Sequence, residues 1–284
     1  MLRLQTALTL SLCCATALPA AAQFPELNDV RPRGFQRGTE VELQLKGRSL
    51  EDPRGLLFDT PGLEVLSLEA EGGAITARLA VAPDCPLGLH ALWVRTGTGL
   101  SNLRTFSVGA LPELTEIEPN GTRAEAQLIS LDHTVNGTAD NEDLDLYAFE
   151  GVAGERVSVE IEGLRLGQTL FDPAITLFDP QGFALGSSDD SAIGRQDGAI
   201  SVLLDSDGLH HVQVRESSYR GNGDCHYRLH VGRFPRPMMT LPAGGPPGAP
   251  LLVKTLGDGG GAARQRAGQP DRERCRGAAP ALVE

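Results

Sequence analysis

Oxygen-bearing side chains crowd two short stretches of this 284-residue chain. "TEIEPNGTRAEA", residues 115–126, sets Glu116, Glu118 and Asn120 at alternate positions. "ADNEDLDLYAF" gathers Asp140, Asn141, Glu142, Asp143 and Asp145 before a strand-like run anchored by Tyr147 and Phe149. Alternate residues of an extended segment share one side, so Glu116, Glu118 and Asn120 face the same way. A hard cation such as calcium takes roughly 6–8 oxygen ligands at about 2.3–2.6 Å, and two such clusters could converge on one. A turn crowded with carboxylates repels itself unless water or a cation intervenes. The same residues also allow a plain linker followed by a solvated loop. "SSDDSAIGRQDG", with Asp189, Asp190 and Asp197, reads as a polar loop.

Other chemistry is poorly supplied. The chain has no Gly-x-Ser-x-Gly elbow and no His-Glu-x-x-His helix, so no catalytic residue and no organic cofactor is expected. His210 and His211 are adjacent, hence on opposite faces of a strand. His226 and His230 share a face but stand about 13 Å apart there, too far to ligate one ion directly. Asn120-Gly-Thr122 and Asn136-Gly-Thr138 match the glycosylation pattern, but Asn-Gly is itself a turn dipeptide.

The elements that would position these groups are strands. "TEVELQLKG" alternates Val41, Leu43 and Leu45 against charged and polar residues, and "LEVLSLEA", "AITARLAVA" and "HALWVRT" repeat that period of two. Turn residues separate them, and such strands bury one face only against a second sheet, so a β-sandwich is expected over residues 23–109. Trp93 is expected in its core. Residues 110–232 read as a second all-β unit. It contains "ERVSVEIEG", a hairpin in "AITLFDPQGFALG", two strands flanking Asp205–Gly208, and "CHYRLHVG".

Charge divides the chain unevenly. Residues 24–109 carry 11 acids and 9 bases, 110–232 carry 22 and 7, and 233–284 carry 4 and 8. The acidic middle argues against binding nucleic-acid phosphates, which calls for a basic face. Residues 1–22 read as a secretory signal: Arg3, an apolar run from Leu8 to Leu18, then Ala20-Ala21-Ala22. That run is too short to span a bilayer, and no later segment approaches about 20 apolar residues. A secreted, periplasmic or cell-surface location is therefore expected. Beyond the signal only Cys85, Cys225 and Cys275 remain, an odd number, so hydrophobic cores must supply the stability.

Two resemblances sharpen this reading. "FPELNDVRPRGFQRGTEVELQLKG" with "PLGLHALWVRTGTGLSNLRTFSVG" resembles an immunoglobulin-like domain of the IPT/TIG type, a structural or binding module. "EIEPNGTRAEA", "VNGTADNEDLDLYAFEGVAGERVSVEI", "DPAITLFDPQGFALGSSDD", "DGLHHVQVRE" and "YRLHV" together resemble the bacterial pre-peptidase C-terminal domain, a small β-sandwich found on exported proteins and beside secreted peptidases. His210 stands where that family usually has Tyr. Relatives in clostridial collagenases bind calcium, and some bind collagen. The resemblance to them implies metal ligands at Glu116, Glu118, Asn120, Glu142 and Asp145. Gly121 and Glu142 depart from it, standing where those relatives have another oxygen ligand and Asp.

The end of the chain repeats the punctuation of its start. At an offset of 210 residues, Phe24, Pro25, Pro32, Gly34, Gly38 and Gly47 meet Phe234, Pro235, Pro242, Gly244, Gly248 and Gly257. Residues 233–257 thus read as the start of a second immunoglobulin-like domain that breaks off near Asp258, as a frameshift or truncation would leave it. Residues 258–284 lack alternation and are expected to be disordered. The whole reads as an all-β, non-catalytic, exported modular protein that binds an extracellular protein or matrix ligand, with Ca2+ as the candidate cofactor. The alternative is the remnant of a secreted peptidase or other hydrolase whose catalytic domain is absent.

Overall fold

The computed structural model describes residues 23–167, 169–192, 194–246 and 250–258, and the backbone of 264–267. The signal segment 1–22 and most of the tail beyond 258 lie outside the described residues. Strands dominate, and the described residues include no α-helix.

The first unit has two four-stranded sheets. One runs β1 (Glu26–Arg31), β3 (Glu40–Arg48), β6 (Ala74–Val81), β5 (Leu63–Glu71); the other runs β2 (Gly34–Gln36), β8 (Arg104–Gly109), β7 (Gly88–Thr96), β4 (Pro53–Phe58). The alternation in β3 decides its inner face: Leu43 and Leu45 are buried and meet Ile75, Ala77 and Leu79 of β6. From the second sheet, Phe35 stacks on Phe106 at 5.2 Å between ring centroids, and Phe58 meets Phe106 edge-on. Trp93 is not in this core. Leu92 and Val94 point inward, so period two turns Trp93 outward, half-buried and paired across the strands with Leu57.

The second unit has two five-stranded sheets around its own core. One runs β10 (Gln127–Leu128), β12 (Asp145–Gly151), β17 (Gly208–Glu216), β14 (Pro173–Phe178), β15 (Ala184–Ser188). The other runs β16 (Ala199–Leu203), β13 (Arg156–Glu162), β18 (His226–Gly232), β11 (His133–Thr138), β9 (Glu113–Thr115). Val157, Val159 and Ile161 of β13 face Val212, Val214, Ile175 and Leu177 across the gap between sheets. Both flanking acids of β13, Glu160 and Glu162, are buried on its other face. Asp179 closes the expected hairpin by accepting from the backbone N–H of Gly182 and Phe183.

A three-stranded sheet follows, β19 (Met239–Leu241), β20 (Leu251–Leu256) and β21 (Arg264–Ala267). In β1 and β3, Asp29 pairs Lys46, Val30 pairs Leu45 and Arg31 pairs Gln44. In β19 and β20, Met239 pairs Leu256, Thr240 pairs Thr255 and Leu241 pairs Lys254. The register is the same at the offset of 210 that relates the sequences. The backbone of residues 264–267 pairs with β20 and gives the hairpin a third strand.

Candidate metal centre

Chain geometry brings the two acidic stretches together at one end of the second sandwich. β9 hydrogen-bonds in parallel with β11, which delivers Glu116 just past the strand's end. There the backbone N–H of Glu116 donates to Asn136 O, and its Oε2 accepts from Thr138 N. Asn120 is held beside β12, because Leu146 N donates to its carbonyl. Asp145 opens β12, with its side chain directed to the core end beneath both.

One carboxylate oxygen each from Glu116, Glu118 and Asp145 lies within 4.8 Å of the others. Asn120 adjoins them: its Nδ2 donates to Glu116 Oε1 at 3.1 Å, and its backbone N–H donates to Glu118 Oε2. Asn120 and Asp145 are both completely buried, and the Oδ1 of each has no hydrogen-bond partner. Of the five residues the sequence singles out, four therefore converge. Glu142 does not join the group; it is exposed in the turn, with φ of 59° and its N–H donated to Tyr219 O. Burial also removes Asn120 as a glycan acceptor.

Two tyrosines complete the cluster: Tyr147, which the sequence offered only as a strand anchor, and Tyr227, which it did not single out. Tyr147 O–H reaches Glu116 Oε1 at 2.7 Å, Tyr227 lies 2.6 Å from Asp145 Oδ2, and the two phenols are 2.6 Å apart. Each hydroxyl has a single proton to give. Tyr147 O–H donates to Glu116 Oε1, while Tyr227 O–H donates to Asp145 Oδ2 and also lies 2.9 Å from Glu116 Oε1, so two phenol protons are shared among four short contacts. Burial, then the charge of Glu116, pushes the Asp145 carboxyl up to about 9 against the Tyr227 hydrogen bond. Glu118 is also raised, by burial and by Glu116, against its backbone hydrogen bond. Both phenols are pushed well above their ordinary value by burial and neighbouring charge.

These donors are all oxygen, and buried negative charge without a counter-charge is costly. Two orphaned buried oxygens beside three carboxylates fit a hard divalent cation, with water or backbone oxygen filling the rest of its shell. Gly137 faces Tyr227 across β11 and β18, and a Cβ there would stand 2.4 Å from the Tyr227 Cζ. Gly137→Ala should destabilise the chain by about 1–3 kcal/mol in denaturant unfolding, since the ring must leave its hydrogen bonds to make room.

The histidines stay apart. His210 stacks on Phe149 inside the core, as its alternation with Val212 and Val214 implies, while His211 lies on the other face. His226 and His230 each bond a threonine, Thr138 and Thr134. Asp197, expected in a polar loop, is fully buried and accepts from the N–H groups of Gly163 and Leu164 and from Arg165 Nε. It organises the short 3-10 turn Leu164–Leu166, and its position next to Gly198 gave no signal of that.

No family model and no curated protein matches the chain. Among solved structures, the pre-peptidase C-terminal domain of a Bacillus anthracis collagenase aligns at 18% identity and TM-score 0.31, over 41% of this chain and 99% of that one. The mixed-linkage glucan utilization protein SGBP-B of Bacteroides ovatus aligns at 9% identity and TM-score 0.26, over 74% and 76%. The secreted serine protease VesC of Vibrio cholerae aligns at 9% and 0.26, over 73% of this chain and 50% of that one. At these scores the likenesses assign no function. Among the described residues, no helix is long and apolar enough to cross a membrane.

Proposed function

We propose that this chain is a non-catalytic, exported, modular protein that binds an extracellular protein or matrix ligand, with calcium stabilising its second sandwich through Glu116, Glu118, Asn120 and Asp145. The observation that carries the calcium reading is the pair of buried, unpartnered oxygens, Asn120 Oδ1 and Asp145 Oδ1, at a cluster where carboxylate oxygens of Glu116, Glu118 and Asp145 lie within 4.8 Å of one another. Bound calcium would supply the positive charge that this cluster lacks. The residues' own part is to hold the segment 116–120 against the start of β12. The signal-like segment 1–22, the strongly acidic second unit and the absence of a catalytic motif in the sequence support the exported, non-enzymatic reading. Residues 233–257 belong in this reading as the opening of a second immunoglobulin-like domain, and the shared strand register supports that.

Calorimetric titration of the full chain with calcium tests the metal. Binding heat is expected, with stabilisation of about 2.7 kcal/mol at a calcium concentration a hundred times the dissociation constant. Glu118→Ala should weaken both. No heat and no change in melting temperature would overturn the calcium reading.

A further inference from the structure

We infer that Arg228 bolts the two sandwiches and the segment between them into a single unit that folds and melts together. Arg228 lies on β18 between Tyr227 and Leu229, both of which face the core of the second sandwich. Its own side chain therefore leaves that sheet on the outer face, where an arginine ordinarily meets water. Here it is 0% exposed.

The first sandwich supplies the cover. A Cβ at Gly34 of β2 would fall 2.6 Å from the guanidinium Cζ and Nε, and one at Gly109 of β8 would fall 3.1 Å from Nη2. Only bare backbone lets the two strands close on the guanidinium. Its hydrogen-bond partners, Glu162 and Glu113, belong to the second sandwich, and the first sandwich joins them through Ser107. Nη1 donates to Glu162 Oε2 on β13 at 2.8 Å, and Nη2 donates to Glu113 Oε1 at the start of β9, just after the connector, at 2.5 Å. Ser107 of the first sandwich donates to the other oxygen of Glu162 at 3.1 Å.

A second bond flanks the bolt, from Thr105 Oγ1 to Leu166 O. The connector itself is short: residues 110–112 separate β8 from β9, and Pro112 is one of them. A buried arginine that donates to two carboxylates at once fixes direction as well as distance, because its donors form a rigid planar fork. Two sandwiches joined this way cannot swivel without pulling charged groups out of a closed, paired arrangement.

The aromatic residues report on each half separately. Trp93, the chain's sole tryptophan, is in the first sandwich, and all three tyrosines, Tyr147, Tyr219 and Tyr227, are in the second. On heating the full chain in EDTA, which keeps the result independent of the calcium reading, Trp93 emission and tyrosine absorbance should change at one temperature. Arg228→Met should separate the two transitions. Gly109→Val is the decisive second variant, because a Cβ there meets only Arg228 and Glu113 within 4 Å and touches neither core. It too should split the transitions and enlarge the radius of gyration measured by X-ray scattering. Separate transitions in the unaltered chain, or coincident ones in Gly109→Val, would overturn the inference.

Discussion

In calcium-free buffer, the folded chain should lose about 1.4 kcal/mol of stability for each pH unit between about pH 7 and pH 9. The cause is Asp145. Its carboxyl has an ordinary value of 3.8 and is pushed up to about 9 in the fold, by burial first and by Glu116 next. Across that interval the folded chain keeps a proton that the unfolded chain has released, so raising the pH favours unfolding. Above about 9 both forms are ionised and the slope ends. The raised Glu118 carboxyl acts in the same direction. His226 acts in the opposite direction at lower pH: burial and the charges of Arg33 and Arg31 lower it to about 4, so unfolding takes up a proton between there and 6.5. The Asp145 slope is therefore read most cleanly above pH 7.

Asp145→Asn keeps the shape and removes the proton, so it should flatten the slope, stabilise the calcium-free chain at pH 8 and abolish its response to calcium. In the unaltered chain, calcium should flatten the slope as well, since the ion compensates the charge that the proton otherwise cancels. Urea unfolding followed by circular dichroism at pH 7, 8 and 9, with EGTA or with calcium, measures all four cases. A flat or rising profile in EGTA would show that the fold tolerates the Asp145 carboxylate ionised and without a cation.

The second large effect is expected at Arg228. Burial disfavours charge on Glu162, yet Arg228, with help from a hydrogen bond and charge at His230, holds its carboxyl well below the usual range. Removing the guanidinium as Arg228→Met leaves the Glu162 carboxylate buried without its main counter-charge, which should cost about 3–5 kcal/mol. Glu113 is less affected, because it is partly exposed and water can reach it. Adding Glu162→Gln to Arg228→Met should return a large part of the loss, because the stranded charge has gone with its partner. In the single variant the penalty should shrink on acidification as Glu162 takes up a proton. Equilibrium denaturation of the single and double variants at pH 5 and pH 8 checks both points, and a loss that Glu162→Gln leaves unchanged would assign the cost to packing.

Much of the architecture is legible in the sequence because period-two alternation is a local property. Each residue's face follows from its neighbours, so the runs at 40–48, 63–71, 74–81 and 156–162 are found directly, and Gly, Pro and Asp mark where they stop. The same logic identifies which oxygen-bearing residues of 116–120 face together. Its failures are specific. β16 and β17 flank Asp205–Gly208 and could have been a hairpin, but they enter different sheets, a choice made by what each strand pairs with far away. Trp93 has the composition of a core residue, but the neighbouring Leu92 and Val94 took the inner positions.

The residue types of the candidate site and the offset between its start and end hairpins were set by the sequence alone. The tertiary structure decided which acids meet. Asp145 lies under Glu116 because parallel pairing of β9 with β11 fixes where the connecting segment ends, and Glu142 is left outside because its turn folds toward Tyr219. Arg228 shows the same division most plainly. An arginine on the outer face of an edge-to-centre alternation reads as solvent-facing, and it is buried only because another sandwich, brought there by a three-residue connector, presents two glycines to it. Burial by a distant part of the chain leaves no periodic trace in the local sequence, since what covers a residue is decided by the packing of whole sheets.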